Sequence, residues 1–133
     1  MKALSSKVTR ALPVGAWVQT CDNSGAKVLR IFSVVGHNTT KDKFPSAGVA
    51  DLVLASVKKG KLEMRKTVVP AIIVRQKKEY RRADGVRIKF EDNAAIVLKD
   101  NKGNPKGTIF KGPIAKEVAE RWPAVAKIAS MVV

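Results

Sequence analysis

Cys21 and His37 are the residues best suited to nucleophilic catalysis, because an imidazole can activate a thiol that attacks a substrate. Each is the only residue of its kind in the 133-residue sequence. One cysteine and one histidine are too few for a His/Cys zinc cluster. Cys21 ends an apolar segment and His37 lies in a polar loop, so we interpret both as structural residues. We predict no enzyme activity, metal or cofactor, and keep a Cys21–His37 enzyme as an alternative hypothesis.

Two further features could support acid–base chemistry or phosphate binding. Glu91 and Asp92 are adjacent, so in a strand their carboxylates point to opposite faces, which favours a turn or cap role. The segment GNPKGT, residues 103–108, matches neither the GxxxxGK[ST] nor the GxGxxG phosphate-loop pattern. We interpret it as a turn whose glycine backbone could approach a phosphate.

Basic side chains form the strongest chemical signal in the chain. The sequence has 26 Lys and Arg against 11 Asp and Glu, a net charge of +15. From Lys58 to Lys89 alone there are twelve basic residues and three acids. Solubility of a small domain requires a net charge of only about 2–8. The excess predicts a polyanionic partner, with nucleic acid favoured over an anionic membrane surface.

The segment RQKKEYRRADGVRIKF, residues 75–90, concentrates this charge. In VRIKF the apolar and basic positions alternate, which predicts a hairpin strand with one face on the protein and one outside. Across the turn at Ala83–Gly85, Arg81 and Arg82 are expected to bind phosphate together. Tyr80 could stack a base, but packing is favoured because it is the only tyrosine.

Folded RNA is the polyanion that the sequence favours. Aromatic residues make up only 5% of the chain, which argues against a sheet that stacks single-stranded bases. No basic helix is evident that could read the major groove of DNA. The remaining mode of binding is recognition of the shape and the phosphate backbone of a folded nucleic acid, which suits RNA. The residues predicted to contact RNA are Lys27, Arg30, Lys58, Lys59, Arg65, Arg75, Lys77, Lys78, Arg81, Arg82, Arg87 and Lys89.

The elements that must position these residues are mostly short strands separated by turns. So many strands in about 110 residues, without alternating long helices, predict a small antiparallel barrel. From Lys111 the pattern becomes helical, with Pro113 at the first helical position and a break at Pro123. We therefore predict one domain over residues 1–133, with a β-barrel and ribbon at about 1–110 and a helical appendage at about 111–133.

Cysteine usage and hydropathy predict the compartment. A single cysteine cannot form an intrachain disulfide, which fits a reducing environment. The first residues lack the apolar run of a signal peptide, and no stretch approaches 18 apolar residues. We predict a cytoplasmic protein that does not cross a membrane.

Several motifs resemble the universal large-subunit ribosomal protein number fourteen family, in its archaeal or eukaryotic form. The signature positions are Ala71–Val74, Asp84–Gly85, Phe90, Asn93 and Ile96–Val97. The segments CDNSGAK, GVADLVLASVKKG, FEDNAAIVL, GNPKGTIFKGP and IAKEVAERWP resemble the family in order over essentially the whole chain. Two positions depart from the pattern: the family usually has glycine at Ala50 and valine at Ile96.

The resemblance implies a closed five-stranded β-barrel with a projecting β-ribbon and short C-terminal helices. It implies a structural constituent of the large ribosomal subunit that binds large-subunit ribosomal RNA and neighbouring ribosomal proteins. It also implies contact with small-subunit RNA across an intersubunit bridge, and docking of an anti-association initiation factor. The residues implied for protein and subunit contacts are Thr108, Lys111, Gly112, Pro113, Lys116 and Lys127. A free β-barrel nucleic-acid chaperone is the alternative that the charge alone leaves open.

Overall fold

Strands account for most of the regular structure, and two short helices follow them. A computed structural model describes residues 2–133. The elements are β1 (Leu12–Pro13), β2 (Trp17–Thr20), β3 (Ala26–Val34), β4 (Ser46–Ala47), β5 (Leu52–Gly60), β6 (Val68–Arg75), β7 (Tyr80–Arg81), β8 (Arg87–Ile88), β9 (Ala94–Val97), α1 (Lys116–Arg121) and α2 (Pro123–Ile128).

Five of these strands close into a barrel in the order β2-β3-β5-β6-β9. The predicted small closed barrel is confirmed, with one correction to its strand directions. Four neighbouring pairs are antiparallel, but β2 and β9 are parallel, with Gln19 opposite Ala94. Strands that alternate in direction around a ring must include one parallel pair when their number is odd. A five-stranded barrel therefore cannot be antiparallel throughout.

Strand β6 is apolar on both faces because it separates two hydrophobic cores. Ala71 and Ile73 point into the barrel, whose interior also contains Leu29 and Val53. Ile72 and Val74 point outwards into a second core. This arrangement explains why Ala71–Val74 reads as a continuous apolar run rather than as an alternating strand.

The C-terminal helices cover this second core. Ile114, Val118 and Trp122 are fully or almost fully buried, as their helical spacing predicts. The predicted helix start at Pro113 is wrong, because α1 begins at Lys116. Ile114 instead forms a parallel bridge with Val132, and its N–H donates to the Met131 carbonyl. Among residues 2–133, no helix is long and apolar enough to span a membrane.

The break between the helices is at Pro123, as predicted, and Trp122 anchors it. The indole Nε1 donates a 2.9 Å hydrogen bond to the Ala50 carbonyl. The turn at Gly103 closes over the same ring. A Cβ at this glycine would come within 2.5 Å of the indole, and its φ is +99°. Of the two glycines in the GNPKGT turn, Gly103 therefore packs on Trp122, and Gly107 packs on the side chains of Asp22 and Asn23, so both have structural neighbours where a phosphate was considered.

The predicted ribbon is a hairpin of β7 and β8, in which Tyr80 pairs with Ile88 and Arg81 with Arg87. Tyr80 is completely buried, so its packing role is confirmed. Ile88 and Phe90 pack partly against the second core. The start of the hairpin is thus fixed to the body of the protein.

Ala50 has a backbone conformation that usually belongs to glycine. Its φ is +72° and its side chain is fully buried. Residues other than glycine lose roughly 1–2 kcal/mol in this left-handed region. The conformation aims the Ala50 carbonyl at the Trp122 indole and at Arg121 Nη1. These two hydrogen bonds to the helical region stabilise the left-handed backbone conformation of Ala50.

We expect Ala50→Gly to raise the free energy of unfolding by up to about 1 kcal/mol in urea titrations. Glycine removes the left-handed penalty but makes the unfolded chain more flexible, which returns about 0.4–1 kcal/mol. The contrasting variant, Ala50→Val, places a branched side chain in this buried conformation, so we expect a loss above about 2 kcal/mol. Clear destabilisation by glycine, or tolerance of valine, would contradict this account.

Candidate nucleic-acid interface

Ten of the twelve predicted RNA-binding side chains are exposed, and they form two groups. We call the first the barrel-end surface, which lies on β3, on β5 and in the turn before β6. Pairing of Val28 with Lys59 and of Arg30 with Ser56 brings its strands together. We call the second the hairpin surface, which lies on and around β7 and β8. The barrel-end surface contains Lys27, Arg30, Lys58, Lys59 and Arg65, and the hairpin surface contains Lys77, Lys78, Arg81, Arg87 and Lys89.

Strand β6 separates these two surfaces. Arg65 precedes β6 and Lys77 follows it, while the strand itself runs from Val68 to Arg75 and is largely buried. Seven steps of about 3.3 Å place its ends roughly 23 Å apart. The basic span that is continuous in sequence therefore becomes two cationic surfaces at opposite ends of one strand.

The cations of the hairpin surface are only weakly neutralised by the protein. Arg87 Nη1 lies 3.3 Å from Glu79 Oε1, and both side chains are about half exposed or more. Exposed pairs of this kind contribute about 0–1 kcal/mol and are easily exchanged for another anion. The surface can therefore bind phosphate without a large internal cost.

Arg75, which was predicted to contact RNA, does not belong to either surface, because its side chain is bonded inside the protein. Its side chain is only 10% exposed and forms a fork with Asp92, with Nε–Oδ1 at 3.0 Å and Nη2–Oδ2 at 3.2 Å. Its Nη1 donates at 2.9 Å to the carbonyls of Lys111 and Pro113. The guanidinium thus joins the end of β6, the start of β9 and the segment before α1.

Arg82 is also engaged inside the protein, whereas Arg81, with which it was expected to share a phosphate, is exposed. Arg82 Nε lies 2.8 Å from Glu117 Oε1, with side chains 14% and 4% exposed. Its Nη2 donates to the Val133 main-chain oxygen at 2.6 Å. The Tyr80 hydroxyl donates to the other Glu117 oxygen at 2.8 Å. These bonds tie the hairpin to α1 and to the last residues.

The ionisation of this cluster follows from its surroundings. Burial and then the hydrogen bond to Glu117 raise the pKa of Tyr80 well above its usual range. Burial alone would lower the pKa of Arg82, but its bonds to Glu117 and Tyr80 outweigh that effect and raise it. Tyr80 therefore stays neutral and Arg82 charged, as the bonding pattern requires.

The residues expected to contact proteins and the other subunit lie in two places. Thr108, Lys111 and Gly112 are exposed on the segment before α1, with Pro113 half-buried, and Lys116 and Lys127 are exposed on the helices. Arg75 Nη1 donates hydrogen bonds to the Lys111 and Pro113 carbonyls of this segment. A Cβ at Gly112 would approach Arg75 Nη1 to 2.6 Å, and the φ of Gly112 is +78°, so glycine is required there. Thr108 is held separately by its N–H bond of 2.8 Å to Asn23.

The candidates for catalysis have structural roles. Cys21 is buried, and its carbonyl accepts a 2.7 Å bond from the Lys111 N–H. The His37 ring contacts the main chain of Ser46. Asp92 pairs with Arg75, whereas its neighbour Glu91 is exposed. Within the described residues 2–133, no group of three or more His, Cys, Asp or Glu side chains could hold a metal.

One basic cluster was missed by the sequence analysis. Lys7 and Arg10 from the N-terminal segment converge with Arg121 from the end of α1 around a single cleft. Arg121 is more than 100 positions from Lys7 and Arg10, so no local pattern connects it with them. Their positive charge outside the 58–89 span was the only available signal.

The fold and its surfaces define a small, strongly basic β-barrel protein. The sequence profile of the family described as Ribosomal protein L14p/L23e matches residues 11–133. "Large ribosomal subunit protein uL14" of Nanoarchaeum equitans is 56% identical over 133 residues, covering 100% of both chains. The proteins of the same name from Methanococcus vannielii and Methanococcus maripaludis strain C7 are 54% and 53% identical, each over 99% of both chains.

The chain therefore belongs to the ribosomal protein L14p/L23e family. The predicted family is confirmed, and these relatives are archaeal, in agreement with the predicted branch. As a member of a family of ribosomal proteins, the chain is a structural component of the ribosome and not an enzyme.

We expect Arg75→Ala to lower the free energy of unfolding by about 2–3 kcal/mol, because two main-chain carbonyls lose their donor, whereas Asp92, whose side chain is 45% exposed, can be solvated by water. Arg75→Lys should also destabilise, since an ammonium cannot reproduce the fork. Urea unfolding would measure both, with exposed Arg81→Ala as the control, expected within about 0.5 kcal/mol. A loss below about 1 kcal/mol for Arg75→Ala would show that the bonds of this guanidinium are not important for stability.

Burial raises the pKa of the Cys21 thiol from 9.0 to about 11, although nearby Arg75 opposes this. The folded protein therefore holds this proton more tightly than the unfolded chain. Its contribution to stability is complete below about pH 9 and is lost as the pH rises towards 11. We expect the stability advantage of the native protein over Cys21→Ala to shrink between pH 8 and pH 11.

Alkylation by iodoacetamide offers a second test of the Cys21 environment. At pH 8 the folded protein should react far more slowly than the protein in urea, because the reactive thiolate is scarce and buried. Equal rates in the two states would instead indicate an activated, accessible thiol and would revive the enzyme hypothesis.

Proposed function

We propose that this chain binds large-subunit ribosomal RNA through the barrel-end and hairpin surfaces, as part of the large subunit of the cytoplasmic ribosome. The observation that carries the proposal is the placement of ten exposed cations in two groups, one near each end of β6. Membership of the L14p/L23e family, and the names of its archaeal relatives, support the ribosomal setting.

The mechanism is neutralisation of phosphates by side chains on a rigid support. Lys and Arg bind phosphate oxygens without reading the base sequence, so affinity depends on the fold of the RNA and on salt. The two surfaces lie roughly 23 Å apart, as β-strand geometry estimates. One molecule can therefore hold two RNA segments at a defined separation and relieve the repulsion between them.

The segment 108–113 and the C-terminal helices form the surface for protein and subunit contacts. Lys111 and Gly112 are exposed there, and the Arg75 fork fixes the backbone beneath them. A surface held this rigidly loses little entropy when a partner binds. The partners that we propose are neighbouring large-subunit proteins, small-subunit RNA across the interface and an anti-association initiation factor.

Sedimentation tests the ribosomal assignment directly. An epitope-tagged copy of the protein should migrate with the large subunit in sucrose gradients at low salt and remain there after subunits are separated. Recovery only in ribosome-free fractions would overturn it. Equal affinity and equal salt dependence for folded ribosomal RNA and random duplex DNA would instead favour a free nucleic-acid chaperone.

Arg81 and Arg82 provide a matched pair for the RNA surface. Arg81→Ala should reduce the magnitude of the slope of log K against log[salt] for ribosomal RNA by about 0.7–0.9, because it removes one phosphate contact. Arg82→Gln should leave the slope unchanged within error. It should instead lower the free energy of unfolding, because Glu117 would stay buried without its cation. If Arg82→Gln reduced the slope and Arg81→Ala did not, Arg82 rather than Arg81 would contact the RNA.

A further inference from the structure

A cleft of about 910 Å³ lies between the N-terminal segment and the end of α1. Its walls carry the cationic side chains Lys7, Arg10 and Arg121 and one carboxylate, Asp51. Apolar side chains, among them Leu4 and Val8, line the remainder. The cleft is distinct from both surfaces described above, because none of its cations belongs to either one.

Asp51 organises the cations around this cleft without neutralising them. Its Oδ2 accepts a 2.8 Å bond from the Gly48 N–H and lies 3.6 Å from Arg10 Nε. Its Oδ1 lies 3.3 Å from Arg121 Nη1. Asp51 thus pairs with two of the three cations, and one acid among three bases leaves the lining of the cleft with a net positive charge of two.

Two buried polar atoms here have no hydrogen-bond partner among the described residues. They are Arg121 Nε and Ser6 Oγ, and both residues line the cleft. A buried donor without a partner costs about 1–3 kcal/mol, and more when it is charged. Arg121 uses Nη1 for Asp51 and for the Ala50 carbonyl, whereas its Nε has no partner among the described residues.

We propose that this cleft binds a backbone phosphate of ribosomal RNA, together with its ribose. A phosphate offers several strong acceptor oxygens, which can take bonds from the Arg121 guanidinium and the Ser6 hydroxyl together. Lys7 and Arg10 are exposed at the cleft and supply the longer-range attraction. A single phosphate would fill little of this volume, whereas a sugar–phosphate unit can also use the apolar wall.

The proposal rests on the proposed function for the identity of the polymer, but the site itself depends only on the cleft. It adds a third point of RNA contact, which involves the N-terminal segment and the junction of α1 with α2. In this proposal Arg121 binds phosphate in addition to its internal bonds with Ala50 and Asp51.

NMR titration of the isotope-labelled full chain locates the site. Inorganic phosphate and then hexauridylate should shift the Arg121 Nε–H signal and the amides of residues 6–10, saturably and more strongly with the nucleotide. Absence of these shifts, or shifts shared evenly by all exposed basic residues, would overturn the proposal. Stronger shifts with polyglutamate than with hexauridylate would assign the cleft to an acidic peptide and would also overturn it.

A charge-matched pair of variants measures the contribution to RNA binding. Lys7→Gln with Arg10→Gln should reduce the magnitude of the salt slope for ribosomal RNA by about 0.7–0.9, the change expected for the one phosphate in the cleft. Lys99→Gln with Lys102→Gln removes the same charge from exposed positions outside the three sites and should leave the slope nearly unchanged. Equal effects of the two variants would mean that only net charge matters, and the cleft would carry no phosphate.

A variant of the hairpin surface distinguishes failure of the cleft proposal from failure of the proposed function. If Lys78→Gln with Arg81→Gln lowers the slope while the Lys7 and Arg10 variant does not, the proposed function stands and the cleft proposal fails. If neither variant nor Lys58→Gln with Lys59→Gln on the barrel-end surface changes binding to ribosomal RNA, both proposals fail. Thermal unfolding of each variant checks that the fold is intact.

Discussion

The fork between the buried Arg75 and the half-exposed Asp92 is the interaction on which the rest of the structure depends. It lies where β6 ends and shortly before β9 begins, and the same guanidinium holds the carbonyls of Lys111 and Pro113. A buried arginine is stable only when its donors are satisfied, and here four hydrogen bonds meet that requirement. The barrel, the segment before α1 and the C-terminal helices are thereby fixed relative to one another.

A second buried ion pair does the same for the hairpin. Arg82 and Glu117 connect it to α1, with the Tyr80 hydroxyl as a third member. The basic residues of this stretch therefore have two different roles. Arg75 and Arg82 hold the framework, and their exposed neighbours supply the charge. Because the framework is rigid, the exposed cations keep the spacing at which they can meet phosphates on separate RNA segments.

Much of this arrangement could be predicted from the sequence, because it depends on local patterns. The apolar run Ala71–Val74, the break at Pro123 and the packing of Tyr80 were all predicted, and the family motifs supplied the five strands. The family pattern, which was expected to have glycine where this chain has Ala50, also indicated an unusual backbone there, and Ala50 adopts a positive φ of 72°.

The remainder depends on contacts between distant positions. Asp92 lies 17 residues from Arg75, and Glu117 lies 35 residues from Arg82, so no local pattern distinguishes these arginines from their exposed neighbours. The helix start was misplaced because Pro113 serves Arg75 as an acceptor. Lys7, Arg10 and Arg121 converge only in the folded chain. A cryo-electron microscopy map of ribosomes containing this protein tests the central claim most directly. We predict that side chains of the barrel-end and hairpin surfaces contact ribosomal RNA phosphates while Arg75 and Arg82 keep their internal partners. Phosphate contacts by these two arginines, or solvent around both basic surfaces, would contradict it.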